Sequence, residues 1–214
     1  TYPILPTPPV ISDPPVNDII FLITTIDYEK KYKFQKKMKL IFKKNKLKTK
    51  NFIFKFIDDT PNGPAYTVSS IKNDLRNSKT PCIIINPDQF IDFDLPNKIN
   101  KDNLYIPLHF NNHGNSSYVK LNHQGNIVEI KEKNLISNYA SSGVYIFASS
   151  VLLKKILQFI KKIKSKKEIN MSDLINLFIK KNNRKVNPIS TITKYDLGNI
   201  KSINKFPIKN IKVN

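Results

Sequence analysis

SYVKLNHQGNIVEIKEKNLISNYASSGVYIFA, residues 117 to 148, decides how the rest of the chain is read. Tyr118, Val119 and Leu121, then Ile127, Val128 and Ile130, have the makeup of two short strands, and Asn122 to Gly125 between them carries turn chemistry. The charged residues Glu129, Lys131, Glu132 and Lys133 follow at once. Gly143 to Phe147, GVYIF, is β-branched and aromatic and predicts a buried strand, entered through the small residues Ala140, Ser141 and Ser142. A carboxylate and an ammonium, Glu132 and Lys133, therefore lie between two strands, ahead of a glycine that lets another group approach the backbone.

Upstream of that stretch, strand and helix patterns alternate. Asp18 to Thr25 predicts a strand, Tyr28 to Lys48 an amphipathic helix with solvated lysines, and Asn51 to Ile57 a second strand, a sequence that suits a parallel βαβ unit. Asp58 to Thr67 is a proline- and glycine-bearing loop before a helix through Ile71, Leu75 and Arg76, whose first N–H groups would favour an anionic ligand. Thr80 to Phe93 is a hydrophobic strand, with Ile83 to Ile85 expected at the centre of the sheet, that stops at Asn86-Pro87-Asp88. Ligands in open α/β sheets bind beyond the carboxyl ends of strands, which places Asp88 where chemistry is expected. An aspartate after a strand is also ordinary turn chemistry.

Downstream, Tyr105 to Phe110 reads as a strand, Val151 to Ile163 as a helix, and Ser172 as the cap of a further helix to Ile179. Lys185 to Thr193 is extended. His109, His113 and His123 lack metal-ligand spacing and read as incidental. The pattern predicts a single α/β domain over residues 1 to 214: a mixed, mainly parallel sheet flanked by helices, with the central stretch as an antiparallel insertion.

The formal charge of +20 suggests a nucleic-acid or anionic-membrane partner. The positive residues are almost all lysine, with Arg76 and Arg184 the two arginines, and the chain is also rich in isoleucine and asparagine. That combination follows from A/T-rich codons, and a nucleic-acid surface would draw more on arginine. No apolar run approaches the roughly twenty residues that span a bilayer. Cys82 is the single cysteine, which excludes an intramolecular disulfide and a thiolate cluster. Without a secretory pattern the expected location is cytoplasmic. Thr1 to Pro15 is broken by Pro3, Pro6, Pro8, Pro9, Pro14 and Pro15 and predicts an extended segment.

Taken in order, the motifs resemble the sugar-phosphate nucleotidyltransferase family, whose members make nucleotide sugars from a nucleoside triphosphate and a sugar 1-phosphate. The family's hairpin turn, Glu-Lys, Ser-Asn-Tyr-Ala and Gly-x-Tyr-x-Phe are matched by Asn122 to Gly125, Glu132-Lys133, Ser137 to Ala140 and Gly143 to Phe147. Pro61, Gly63 and Ala65 match its Pro-x-Gly-x-Ala loop, and Asp196 to Asn199 resembles its Asp-x-Gly-Thr signature with Asn199 for the threonine. The resemblance implies a Rossmann-like fold in which Asp88 and Asp196 form the catalytic pair and hold Mg²⁺. It also implies nucleotide or substrate contacts from Gly63, Ala65 and Gln89, sugar hydroxyls on Glu132, the sugar phosphate on Lys133, and sugar against the backbone of Gly143.

One segment departs from the pattern. Tyr2-Pro3 stands where the family has a Tyr-Pro-Lys-Pro-like stretch, but Ile4 follows and no glycine precedes Gly63. The resemblance then implies an N-terminally incomplete domain that keeps a sugar-phosphate pocket and turns over poorly. Two other readings stay open at this point: a degenerate relative that binds nucleotide or sugar phosphate without catalysis, and a basic nucleic-acid-binding protein.

Overall fold

The computed structural model describes residues 19–47, 52–76, 78–96, 99–100, 103–163, 167–182 and 186–207. The proline-rich segment to Pro15 lies outside them. The chain divides into two compact units, Thr1–Pro61 with Pro207–Asn214, and Asn62–Phe206.

The first unit holds the expected βαβ element. Strands β1 (Ile20–Thr25) and β2 (Phe52–Ile57) pair in parallel, Ile20 opposite Phe52 and Thr25 opposite Ile57. The single helix expected from Tyr28 to Lys48 is instead two, α1 (Ile26–Tyr32) and α2 (Phe34–Lys44). Lys33 between them is left-handed, with φ 53°, and donates its N–H to the Glu29 carbonyl. The Glu29 carboxylate then accepts the Gln35 N–H at 2.8 Å, so one side chain serves the end of α1 and the start of α2. Phe42 of α2 is buried against Phe52, their ring centroids 4.0 Å apart.

The second unit is built on eight strands: β3 (Cys82–Ile85), β4 (Gln89–Phe93), β5 (Leu104–Phe110), β6 (Ser117–Leu121), β7 (Ile127–Glu132), β8 (Tyr139–Ser141), β9 (Val144–Phe147) and β10 (Val186–Asp196). Their order is β3-β9-β5-β8-β6-β7-β10-β4, with a further pairing of β5 to β10. Here the expectation of a mainly parallel sheet fails. Only β5 and β10 pair in parallel in this sheet, and every other described pair in it is antiparallel. For β6 and β7 the cause is connection length: the turn between them is too short for the crossover that parallel neighbours require. Nor is β3 central. Among the described residues it pairs with β9 alone, and Ile83 and Ile85 are about half exposed on the outer face of this edge strand.

Strand β5 is the true centre, buried from Leu104 to Leu108. Its residues divide by parity. Leu104, Ile106 and Leu108 join the main core with Val119, Ile130 and Phe147 and with the helices α4 (Ser150–Leu157) and α5 (Met171–Asn182). Tyr105 faces a smaller cluster with Val144 and Ile146, against which Ile91, Phe93 and Ile189 pack. Strands β8 and β9 together form one antiparallel partner of β5, interrupted at Ser142 and Gly143: Leu108 is opposite Ser141, but Tyr105 is opposite Ile146. The extra residues make a bulge there, a device that re-aims side chains. No described helix is long and apolar enough to cross a membrane.

The loop before α3 (Pro64–Ser69) is locked onto Ile169. Ala65 N–H donates to the Ile169 carbonyl at 3.1 Å and Ile169 N–H to the Asn62 carbonyl at 2.9 Å. Between them Gly63 has φ 107°, and a Cβ on it would stand 2.5 Å from the Ile169 carbonyl oxygen. The free N–H groups expected at this helix start are therefore absent. Pro64 has none, Ala65 is committed to Ile169, and Tyr66 and Thr67 donate to the Gly63 carbonyl. Gly63→Ala should cost about 2–4 kcal/mol in urea melts, since strain and a backbone clash combine. Gly125→Ala, in the open β6–β7 turn with φ 76° and nothing near its Cβ, should cost about 1 kcal/mol. Equal losses would contradict the packing described.

Candidate functional site

Strand β10 brings the backbone around Asp196 beside that around Asp88. Its last residues pair antiparallel with β4, Asp196 opposite Gln89 and Tyr195 opposite Phe90, so Asp88, just before β4, meets the chain just after Asp196. Leu197 N–H donates to the Asp88 carbonyl at 2.7 Å, and a Cβ on Gly198 would lie 3.0 Å from Asp88 Oδ2. Both carboxylates are exposed. Asp196 Oδ1 is 2.8 Å from Lys194 Nζ. Phe90, Tyr195 and Phe206 form an aromatic trio with centroids 5.2 to 6.3 Å apart, which ties α6 (Ile200–Lys205) to the ladder. Asn199 caps that helix by accepting the Ser202 N–H at 2.9 Å.

The bulge adds Gly143 to this group. Its φ is 79°, and a Cβ there would stand 2.8 Å from Gln89 Nε2 and 3.2 Å from Asn86 Nδ2. Gln89 Nε2 is buried without a hydrogen-bond partner. Ser142, next in the bulge, bonds His109 Nδ1 at 3.0 Å and Thr191 Oγ1 at 2.7 Å. His109 is thus tied to the bulge through Ser142. Burial above all, and then the ammonium of Lys194, hold its imidazole below the ordinary value, with Asp196 and the Ala140 backbone opposing.

Glu132 anchors a second polar group on the other side of the bulge. Its Oε2 accepts hydrogen bonds from Ser117 and, at 3.1 Å, from Ser172. The buried Tyr145 joins them through hydrogen bonds to Ser141 and Ser117, and its phenol is pushed up, chiefly by burial. Ser172 is not the cap of α5. It lies fully buried inside the first turn, while Asp173 reaches back to accept the Asn170 N–H at 2.9 Å. Burial and, less, the nearby Glu132 raise the Asp173 carboxyl above its usual range. Lys133 is exposed and left-handed, φ 48°, turning the chain out of β7.

The structure therefore gathers Asp88, Gln89, Gly143 and Asp196 at one end of the β4–β10 ladder, and Glu132 across the bulge from them. Gly63 and Ala65 are buried elsewhere, against Ile169. Residues that the sequence did not mark are Asn86, His109, Ser142, Thr191 and Lys194.

A model of the nucleotidyl transferase family matches residues 19–209. The chain belongs to the nucleotidyl transferase family. No curated protein matches it in sequence. Among solved structures, a nucleoside-diphosphate-sugar pyrophosphorylase from Vibrio cholerae RC9 is similar with a TM-score of 0.69 at 17% identity, over 88% of this chain and 80% of that one. A Bacillus anthracis protein assigned as a glucose-1-phosphate thymidylyltransferase and solved with sucrose has a TM-score of 0.66 at 19% identity, over 91% and 77%. A UDP-glucose pyrophosphorylase complexed with UDP-glucose has 0.62 at 13%, over 88% and 78%. The nucleotidyl transferase fold is thus shared, with a sheet more antiparallel than the motifs alone suggested.

Because the folded pKa of His109 lies below its unfolded one, the unfolded chain binds more protons between the two values. Stability should then fall as pH drops below about 6.5, and His109→Asn should flatten that slope. Urea melts of both proteins from pH 7 to pH 5 measure it; identical slopes would contradict the burial of a neutral imidazole.

Proposed function

We propose that the chain transfers a nucleotidyl group from a nucleoside triphosphate to a sugar 1-phosphate. An oxygen of the sugar phosphate forms a bond to the α-phosphorus, the bond from that phosphorus to the bridging oxygen breaks, and pyrophosphate leaves. The observation that supports this reading, beside family membership, is the register that brings Asp88, bonded to Leu197, to the same end of the β4–β10 ladder as Asp196. In-line phosphoryl chemistry needs charge neutralisation and placement more than an acid or base.

The donor set suits Mg²⁺. Among the described residues no three acidic, histidine or cysteine side chains cluster for a metal. Mg²⁺ is commonly bound by one or two carboxylates, with substrate phosphates and waters completing its shell. Asp196 Oδ1 already takes a cation, the Lys194 ammonium. Asp88 and Asp196 would hold the ion, which when bound neutralises developing charge on the phosphoryl oxygens. Glu132, oriented through Oε2 by Ser117 and Ser172, accepts sugar hydroxyls, and Lys133 meets the sugar phosphate as a point charge. Gly143 lets the sugar lie on the bulge, within reach of the unpaired Gln89 amide. Gly63 and Ala65 would contribute by the loop they form before α3, where the family resemblance implies nucleotide contacts.

Calorimetry with a panel of sugar 1-phosphates tests the sugar half. Binding is expected, weakened about tenfold by Glu132→Gln, the loss typical of one charged hydrogen bond. Pyrophosphate release with Mg²⁺ tests the rest, and Asp196→Asn should cut it at least about a hundredfold. No binding of any sugar phosphate or nucleotide would contradict the proposal.

A further inference from the structure

Lys194 pairs with Asp196 at 2.8 Å, and the reaction as proposed makes no use of it. Its side chain is 15% exposed and that of Asp196 is 69% exposed, so a mostly buried stem delivers an ammonium outward to an open carboxylate. The strand fixes this arrangement. Lys194 is opposite Ile91, which packs on the Tyr105 cluster, and Asp196 is opposite Gln89. Two residues apart on one strand, both side chains share a face.

An ion pair whose carboxylate stands mostly in solvent gains little, typically about 1 kcal/mol or less. A divalent cation drawn by two carboxylates displaces such a partner readily. The ammonium cannot then leave the site, because its stem is packed, and it must find another anion within a few ångströms. In a site that receives phosphates, the available anion is a phosphate oxygen.

We propose that Lys194 is the resident counter-ion of Asp196, that a divalent cation exchanges for it when the site loads, and that the released ammonium then binds a substrate phosphate. This rests on the metal and phosphate reading of the site. It adds a residue to that reading and predicts that the empty protein resists metal.

The test is Mn²⁺ titration of the substrate-free protein, followed by loss of the free-ion spin-resonance signal, for the parent chain, Lys194→Met and Lys194→Arg. Lys194→Met should bind Mn²⁺ about tenfold tighter, since one positive charge beside the ion is gone. Lys194→Arg keeps the charge and should stay near the parent. The Mn²⁺-loaded Met variant should then bind inorganic pyrophosphate at least about fivefold more weakly than the loaded parent. Unchanged or weaker Mn²⁺ binding by a folded Lys194→Met would overturn the exchange and leave the metal site standing. Equal pyrophosphate affinity would overturn the phosphate contact. No Mn²⁺ bound by any of the three would remove the metal reading and the exchange with it.

Discussion

The register of β10 is the constraint on which the rest depends. The strand begins at Val186, wholly buried between β5 and β7, and runs to the exposed Asp196, changing partners from β5 in parallel to β4 in antiparallel. A slip by one residue would turn Lys194 and Asp196 to the opposite face and separate them from Gln89. Three features resist it. The ladder shifts between Thr191 and Thr193, Thr191 is tied to Ser142 of the bulge, and Tyr195 packs in the aromatic trio with Phe90 and Phe206.

A second line of support leads to Glu132 from a different direction. Asn62 and Ala65, on either side of Gly63, clasp the backbone of Ile169 just before α5, and Ser172 in the first turn of that helix donates to Glu132. The carboxylate is thus oriented by an element forty residues away in sequence, and by Ser117 across the β6–β7 ladder. The bulge at Ser142–Gly143 lies between the two arrangements: Ser141 reaches the Tyr145 group and Ser142 the His109 group. Preorganisation of this kind limits the reorganisation that phosphate chemistry would otherwise require.

Much of the strand content could be read from the chain, because β-branched runs such as CIII and VYIF identify strands whatever their neighbours. Direction could not. The same apolar residues serve parallel and antiparallel ladders, and a reading that extended the first βαβ pattern through the whole domain made the sheet too parallel. The edge position of β3 was hidden for the same reason. Lys33 carries no mark of its left-handed backbone, so one helix was expected where two exist. Ser172 looked like a cap because serine near a helix start usually is one, and its real partner is forty positions away. His109 lacks metal-ligand spacing, and its hydrogen bond to Ser142 depends on a bulge that no local pattern encodes. Asp88 and Asp196 were legible as a pair only through the family's motifs, and their adjacency follows from a ladder that no local pattern encodes.

The central claim is that the exposed end of the β4–β10 ladder is where a divalent cation and the phosphates meet. Paramagnetic broadening of amide resonances by substoichiometric Mn²⁺ tests it most directly, since the effect falls steeply with distance from the ion. The account predicts selective loss of the signals of Gln89, Leu197 and Gly198, with those of Ile127 and Ile175 in the core unaffected. Broadening centred elsewhere, or spread evenly over exposed carboxylates, would contradict it.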